Sequence, residues 1–236
     1  EDIWHGAFSG CSSLRSIQLP KSLCGDNPWD SGYGDGLFLD CSSLEYFEVP
    51  EWMTKISDCM FRGCESLKEI KIPDSVTTID CWAFSGCKSL TELVIPKSVT
   101  LIGYNWRQSH NGNFIDGCTS LRKLAFEDGN AVYHSKDNCI IETKTGTLFA
   151  ITENGVIPND GSVTKIGENA FCACQNLTEI SLPEGVTTIG SNASCYTQLF
   201  AKSIIEPNRT AKNKHTDPPI TNKCHKAWAN FNLRHK

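Results

Sequence analysis

Apolar positions along this chain recur in a fixed order around a set of cysteines. Cys41, Cys64 and Cys87 lie 23 residues apart. Three residues after the cysteine stands Leu14, Leu44, Leu67, Leu90, Leu121 or Leu177. Six after stands Ile17, Phe47, Ile70, Leu93, Leu124 or Ile180, and eight after stands Leu19, Val49, Ile72, Ile95, Phe126 or Leu182. Proline follows at 20, 50, 73, 96 and 183. Apolar residues at alternate positions between mostly polar ones predict a short strand, and a proline that cannot donate to a ladder ends it. A second apolar pair comes next, as in Val76 and Ile79 or Val99 and Ile102.

One such unit cannot bury its own apolar side chains. A constant period means units stacked like on like, with each apolar column rising about 4.8 Å per unit. The octapeptide AFSGCSSL at 7–14 returns as AFSGCKSL at 83–90. It reads as one corner of the coil: Ser and Gly let the chain turn, and Phe8 or Phe84 plugs the core. The cysteine fills a tight inward site as a small apolar residue with a weak donor.

The pattern breaks in three places. Cys11 to Cys41 and Cys87 to Cys118 are longer than 23, and both insertions fall after the proline and before the next phenylalanine. They read CGDNPWDSGYGDG at 24–36 and GYNWRQSHNGN at 103–113, and each carries one Trp and one Tyr. Insertions in the same phase emerge on one side of a stack. Three coils separate them, roughly 14 Å at one strand spacing per coil. The third break holds CIIETKTGTLFAI at 139–151, which predicts a hairpin around Lys144-Thr145-Gly146. After Thr197 only Phe200, Ile204 and Pro207 echo the pattern, slipped by one residue.

VTTIDCWAFSGCKSLTELVIP at 76–96, FRGCESLKEIKIPDSVTTI at 61–79 and IGENAFCACQNLTEISLPEGVTTIG at 166–190 resemble the BspA-like leucine-rich repeats of bacterial surface proteins. The likeness covers about residues 3–207. It implies a repeat solenoid, a horseshoe-like coil of stacked short parallel strands with little regular helix. It also implies a cell-surface or secreted recognition role, and no catalytic residue or cofactor. The expected organisation is a repeat domain at 1–207, starting mid-repeat, with a variant hairpin unit at about 127–165. A tail at 208–236 follows.

Composition changes this picture only at the end of the chain. The 236 residues are 39% hydrophobic and 21% charged, which suits a globular protein. No run approaches the roughly 18 apolar residues needed to cross a membrane. Residues 1–207 carry 15 basic and 26 acidic side chains, whereas 208–236 carry 7 basic and one acidic. The tail has two adjacent prolines and adds no residue to any column, so it is expected to be disordered. Its charge suits an anionic surface or a simply solvated end; no nucleic-acid partner and no membrane insertion are expected.

Chemistry-bearing motifs are sparse. No phosphate loop, HExxH or GxSxG occurs, so no enzyme is expected. Thirteen cysteines are many, but Cys172-Ala-Cys174 lacks the partners for a four-ligand metal site and reads as core. Asp26, Asp30 and Asp35 do not have calcium-loop spacing and read as turn residues. The exposed strand positions form one column of Tyr46, Glu69, Glu92 and Lys123 and another of Glu48, Lys71, Val94 and Ala125. Glu69 beside Glu92 is expected to repel unless Lys68 or Lys71 screens it. The candidate contact residues are the loop aromatics Trp29, Tyr33, Tyr104 and Trp106, with Tyr46 on the strand face, since aromatics dominate binding energy at interfaces. Their expected ligand is a protein or glycan on another cell or matrix. The competing expectation is a spacer that holds no ligand.

Overall fold

The computed structural model describes residues 6–21, 36–104, 113–177, 180–190, 192–193 and 204–205. Its strands in chain order are β1 Tyr46–Glu48, β2 Lys55–Ile56, β3 Glu69–Lys71, β4 Thr78–Asp80, β5 Glu92–Ile95, β6 Leu101–Tyr104 and β7 Lys123–Phe126. They continue as β8 Tyr133–Lys136, β9 Cys139–Glu142, β10 Thr147–Ile151, β11 Lys165–Ile166, β12 Ile180–Ser181, β13 Thr188–Ile189 and β14 Ile204–Ile205. There is no α-helix among the described residues.

The repeats at Cys41, Cys64, Cys87 and Cys174 each contribute two strands. The first follows the cysteine and holds its apolar residues inward; Phe47, Leu93 and Leu124 are buried. The second follows the proline, where Ile56, Ile79 and Ile102 are buried. That second strand was not predicted as a strand, because two or three residues show no periodicity. Parallel pairing joins equivalent strands: Tyr46 faces Glu69, Lys55 faces Thr78, and Thr78 faces Leu101, each 23 positions on. At the far end Ile180 faces Ile204, one position later, which is the slip expected from the sequence.

The second strands form one sheet, β2-β4-β6. The first strands do not: they pair as β1-β3 and as β5-β7, and no ladder joins β3 to β5. Glu69 and Glu92 would face one another there. Like charges opposite each other cost a few tenths of a kcal/mol, and here Glu92 turns instead to an ion pair with Lys123 on the far side. The uninterrupted column of four expected from the sequence is thus two pairs.

The hairpin at 139–151 forms as predicted, with Leu148 opposite Ile141 and a register shift before Ala150. A second hairpin precedes it, since Lys136 pairs with Cys139 across Asp137-Asn138. Both turn residues have positive φ, 51° and 61°, the geometry a two-residue hairpin turn requires. Asn130 fastens this unit to the stack. Its amide donates to the carbonyls of Lys97 and Val99, and its oxygen accepts from the Val132 and Tyr133 N–H groups. Strand β10 then pairs in parallel with β11, and β11 with β13, so the hairpins merge into a five-stranded sheet.

Candidate functional site

The corner of each repeat explains the repeated octapeptide. Two backbone columns there need positive φ. The outer one, two residues before the core phenylalanine, holds Gly6, Gly36, Cys59, Trp82, Asn169 and Asn192, with φ between 52° and 73°. The inner one, just before the cysteine, holds Gly10, Asp40, Gly63, Gly86 and Gly117, with φ between 57° and 75°. Gly and Asn adopt this region readily, whereas Cys59 and Trp82 do so at a cost of about 1–2 kcal/mol each. Between the columns the phenylalanines stack face to face. Phe8–Phe38, Phe38–Phe61 and Phe61–Phe84 have ring centroids 5.5, 5.5 and 5.7 Å apart and planes within 12°. Ile115 holds the same place in the next coil and is fully buried.

The cysteine column works as expected. The thiols of Cys41, Cys64, Cys87 and Cys118 donate to the carbonyls of Phe8, Phe38, Phe61 and Phe84, 3.0–3.3 Å away in the preceding coil. Cys174 does the same to Ile151 at 3.3 Å. All five are buried and unpaired to one another, while Cys11 is exposed. Burial pushes the Cys41 thiol up to about 11 and those of Cys118 and Cys174 up to about 12. These are inert core thiols rather than nucleophiles. Among the described residues no cluster of three or more His, Cys, Asp or Glu is arranged to hold a metal ion.

The two insertions are rooted in neighbouring columns, two residues apart along the coil. The first re-enters at Gly36, whose N–H donates to the Asp58 carbonyl at 3.0 Å. One coil on, Cys59 N–H donates to the Cys81 carbonyl at 3.2 Å. In the next coil the Cys81 thiol donates to the Gly103 carbonyl at 2.8 Å, and Asp80 faces Tyr104 in the β4–β6 register. The second insertion leaves at Tyr104. Trp29, Tyr33 and Trp106 lie outside the described residues, and Tyr104 is described by its backbone alone. Tyr46 belongs elsewhere, on β1, in a different sheet from β6.

A model of the BspA type leucine rich repeat region matches in six copies, over residues 1–105, 31–131 and 149–214. The chain belongs to the BspA-type leucine-rich repeat family. Among solved structures, a leucine rich cell surface protein from Faecalibacterium prausnitzii A2-165 is 28% identical over 86% of this chain and 52% of its own, with a TM-score of 0.61. The pneumococcal vaccine antigen PcpA is 24% identical over 66% of this chain and 38% of its own, with a TM-score of 0.54, a likeness of fold alone. The chain therefore spans about half the length of the first of these proteins. Comparison with curated proteins finds no match. No helix among the described residues is long and apolar enough to cross a membrane.

On this BspA-type repeat the strand face is occupied by its own charges. The Tyr46 hydroxyl donates to Glu48 at 3.2 Å, and the Lys71 ammonium sits over the Tyr46 ring, 5.8 Å from its centre. Contact with Tyr46 and then the nearby Glu48 and Glu69 carboxylates holds the Lys71 amine above its usual range. Lys68 pairs with Glu45 and Lys88 with Glu65, both at 2.7 Å and 23 positions apart. Surface pairs of this kind contribute little to stability. Another pair went unnoticed in the sequence. Lys55 and Asp80 meet at 2.7 Å with side chains only 19% and 5% exposed. The spacing that joins them is one repeat plus two, a signal readable only once the stack is known. Trp82 was also passed over, as part of the recurring octapeptide's approach.

Proposed function

We propose that this chain is the non-catalytic recognition part of a bacterial cell-surface or secreted protein, and that it holds a protein or glycan along its insertion-bearing edge. The reading includes a horseshoe-like solenoid of 23-residue coils over residues 1–207, with a solvated tail at 208–236. Its main support is that the two insertion roots, Gly36 and Tyr104, stand in columns two residues apart, linked through Asp58, Cys59, Asp80 and Cys81. Loops rooted in neighbouring columns leave the stack from one side. Trp29, Tyr33, Tyr104 and Trp106 then belong to one patch, and aromatic rings supply large contact area at little entropy cost. The surface role draws on the named likeness to a leucine rich cell surface protein.

A spacer without a ligand is favoured by one observation: Tyr46, Lys71, Glu48 and the cross-coil ion pairs already satisfy one another on the strand face. The experiment that separates the two readings is the double substitution Trp29→Ala with Trp106→Ala in the folded domain. Binding to immobilised matrix proteins and oligosaccharides should fall at least tenfold. Unchanged binding, together with its loss on substitution of Tyr46, moves the site to the strand face. No binding by either protein leaves the spacer reading ahead.

A further inference from the structure

The residue after the isoleucine of each second strand is glycine at Gly103, Gly167 and Gly190. The backbone runs close there. A Cβ added at Gly167 would lie 2.7 Å from Leu148 O, and one added at Gly190 would lie 2.7 Å from Glu168 N. Two neighbouring coils depart from this rule and carry Ser57 and Asp80 instead, both buried. Lys55, two residues before Ser57, reaches the same place: its Nζ lies 2.7 Å from Asp80 Oδ2. Lys165 stands in the column of Lys55, but Gly190 takes the place of an acid there.

An ion pair alone accounts poorly for this arrangement. The two side chains are only 19% and 5% exposed, and desolvation of two charges offsets most of their attraction. Ser57 Oγ is buried as well and has no hydrogen-bond partner among the described residues, which is costly for a hydroxyl. The β2–β4 register sets Lys55 opposite Thr78 and Ile56 opposite Ile79, so the next pair along is Ser57 and Asp80. An amine, a carboxyl carbon and a spare hydroxyl thus meet in one dry place. With Nζ in contact with Oδ2, Cγ stands about 3.5 Å from Nζ, the separation of reacting atoms in a near-attack geometry.

We propose that Lys55 and Asp80 condense into an isopeptide bond that ties these two coils together. A proton first crosses the short contact from the Lys55 ammonium to Asp80 Oδ2. It leaves a neutral amine and a neutral acid, the forms that burial favours. The amine lone pair then attacks Cγ, and the Nζ–Cγ bond forms. The Cγ–Oδ2 bond breaks, and its oxygen leaves as water with its own proton and a second one from the amine, relayed by Ser57. The amide nitrogen keeps one hydrogen, and the step needs no oxidant, reductant or co-reactant. The product is a covalent rung across the β2-β4-β6 sheet. It is independent of what the insertion-bearing edge binds.

Mass spectrometry of the whole folded chain tests this. After incubation at neutral pH the intact mass should fall below that of the sequence by one water. Trypsin should then leave Lys55 uncut and release residues 22–62 joined to residues 72–88. Lys55→Arg keeps the ion pair but offers no neutral amine, so it should keep its full mass. Asp80→Asn should give the same joined peptides, with ammonia lost in place of water. Ser57→Ala should form the bond at least about tenfold more slowly, as expected for a lost proton relay. A wild-type chain that keeps its full mass overturns the proposal. So does a water lost elsewhere, as at Glu1 or the Asp128-Gly129 step, that persists in Lys55→Arg. Bond formation at an unchanged rate in Ser57→Ala supports the cross-link and overturns the relay.

Discussion

Phe61 and Ile140 are both fully buried, but their surroundings differ in kind. Phe61 has a phenylalanine above it, Phe38, and another below it, Phe84. Its neighbours are copies of itself. Ile140 has no copy. It lies on β9, where successive residues face opposite ways: Ile140 joins the core of the parallel stack, while Cys139 and Ile141 join a second core that runs on to Ala193. On β10, Ala150 faces the first core while Leu148 and Ile151 face the second. The hairpin is a wall between two cores, apolar on both sides. Columns suit a sequence that repeats, because one solution to packing serves every coil. A wall needs alternation, broken here once by the register shift before Ala150, and a register of its own, which its tight turns and Asn130 supply.

The largest expected effect tests the columns. Phe61→Ala empties a slot bordered by two coils and should cost about 3–5 kcal/mol, and Leu90→Ala about 2–5 kcal/mol. Ile140→Ala and Ile141→Ala should cost about 2–5 kcal/mol each, although they face different cores. Urea denaturation measures all four. A small loss for Ile140 alone would mean that the wall has one working face.

Gly63→Ala should come next, at about 1–3 kcal/mol. A Cβ there would lie 2.2 Å from Asp40 Oδ1, at φ 75°. Gly161, beyond the wall, has φ 85° and nothing within 4 Å of the added carbon, so Gly161→Ala should lose only about 1–2 kcal/mol of backbone preference. Adding Asp40→Gly should rescue part of the first loss and none of the second. Equal losses that do not respond to Asp40→Gly would show that crowding between coils is not the cause.

A third comparison concerns pH. Burial holds the Cys118 thiol in the stack and the Cys139 thiol in the wall at about 12. Their folded values lie above the ordinary thiol value of about 8.5. Stability is therefore intact below that pH and falls above it, as the unfolded chain releases protons that the folded chain keeps. Each thiol should remove about 1.4 kcal/mol per pH unit up to about pH 12. Denaturation between pH 8 and 10.5 should show a shallower slope for Cys118→Ala and an equal change for Cys139→Ala. An unchanged slope would mean that these thiols are open to solvent.

The smallest effect is expected outside. Glu92→Ala removes the partner of Lys123 and should cost under about 0.5 kcal/mol. A loss comparable to that of Leu90→Ala would invert the assignment of inner and outer faces.

Much of this arrangement could be read from residue spacing, because repetition multiplies a weak signal. One Cys-x-x-Leu means little, but six in phase fix a column. The hairpin at 139–151 was legible through alternation. Its partner across Asp137-Asn138 was not, since Asp-Asn turns are common and β8, YHSK, carries three polar residues in a row and so shows no alternation. The strands at Lys55–Ile56 and Lys165–Ile166 are too short to show a period. The positive φ of Cys59 and Trp82 was hidden because side-chain type argues against it; only the equivalent Gly and Asn residues reveal what the backbone needs. Of the candidate site, the phase of the insertions was legible, and their roots lie in columns two residues apart. Tyr46 was chosen as an exposed aromatic, and its pairing with Lys71 and Glu48 depends on cross-coil geometry that single positions do not encode.

The break between β3 and β5 bears on how the stack carries load. On one side β2, β4 and β6 are bonded in series across the same coils. On the other, the first strands are bonded only in twos. Tension along the stack would be shared unequally, and the coil boundary between Ile70 and Leu93 would open first on the unladdered side, bending about the other as about a spine. Yield at that one boundary would let the stack flex without losing a repeat, and Glu69 and Glu92 stand on its two sides.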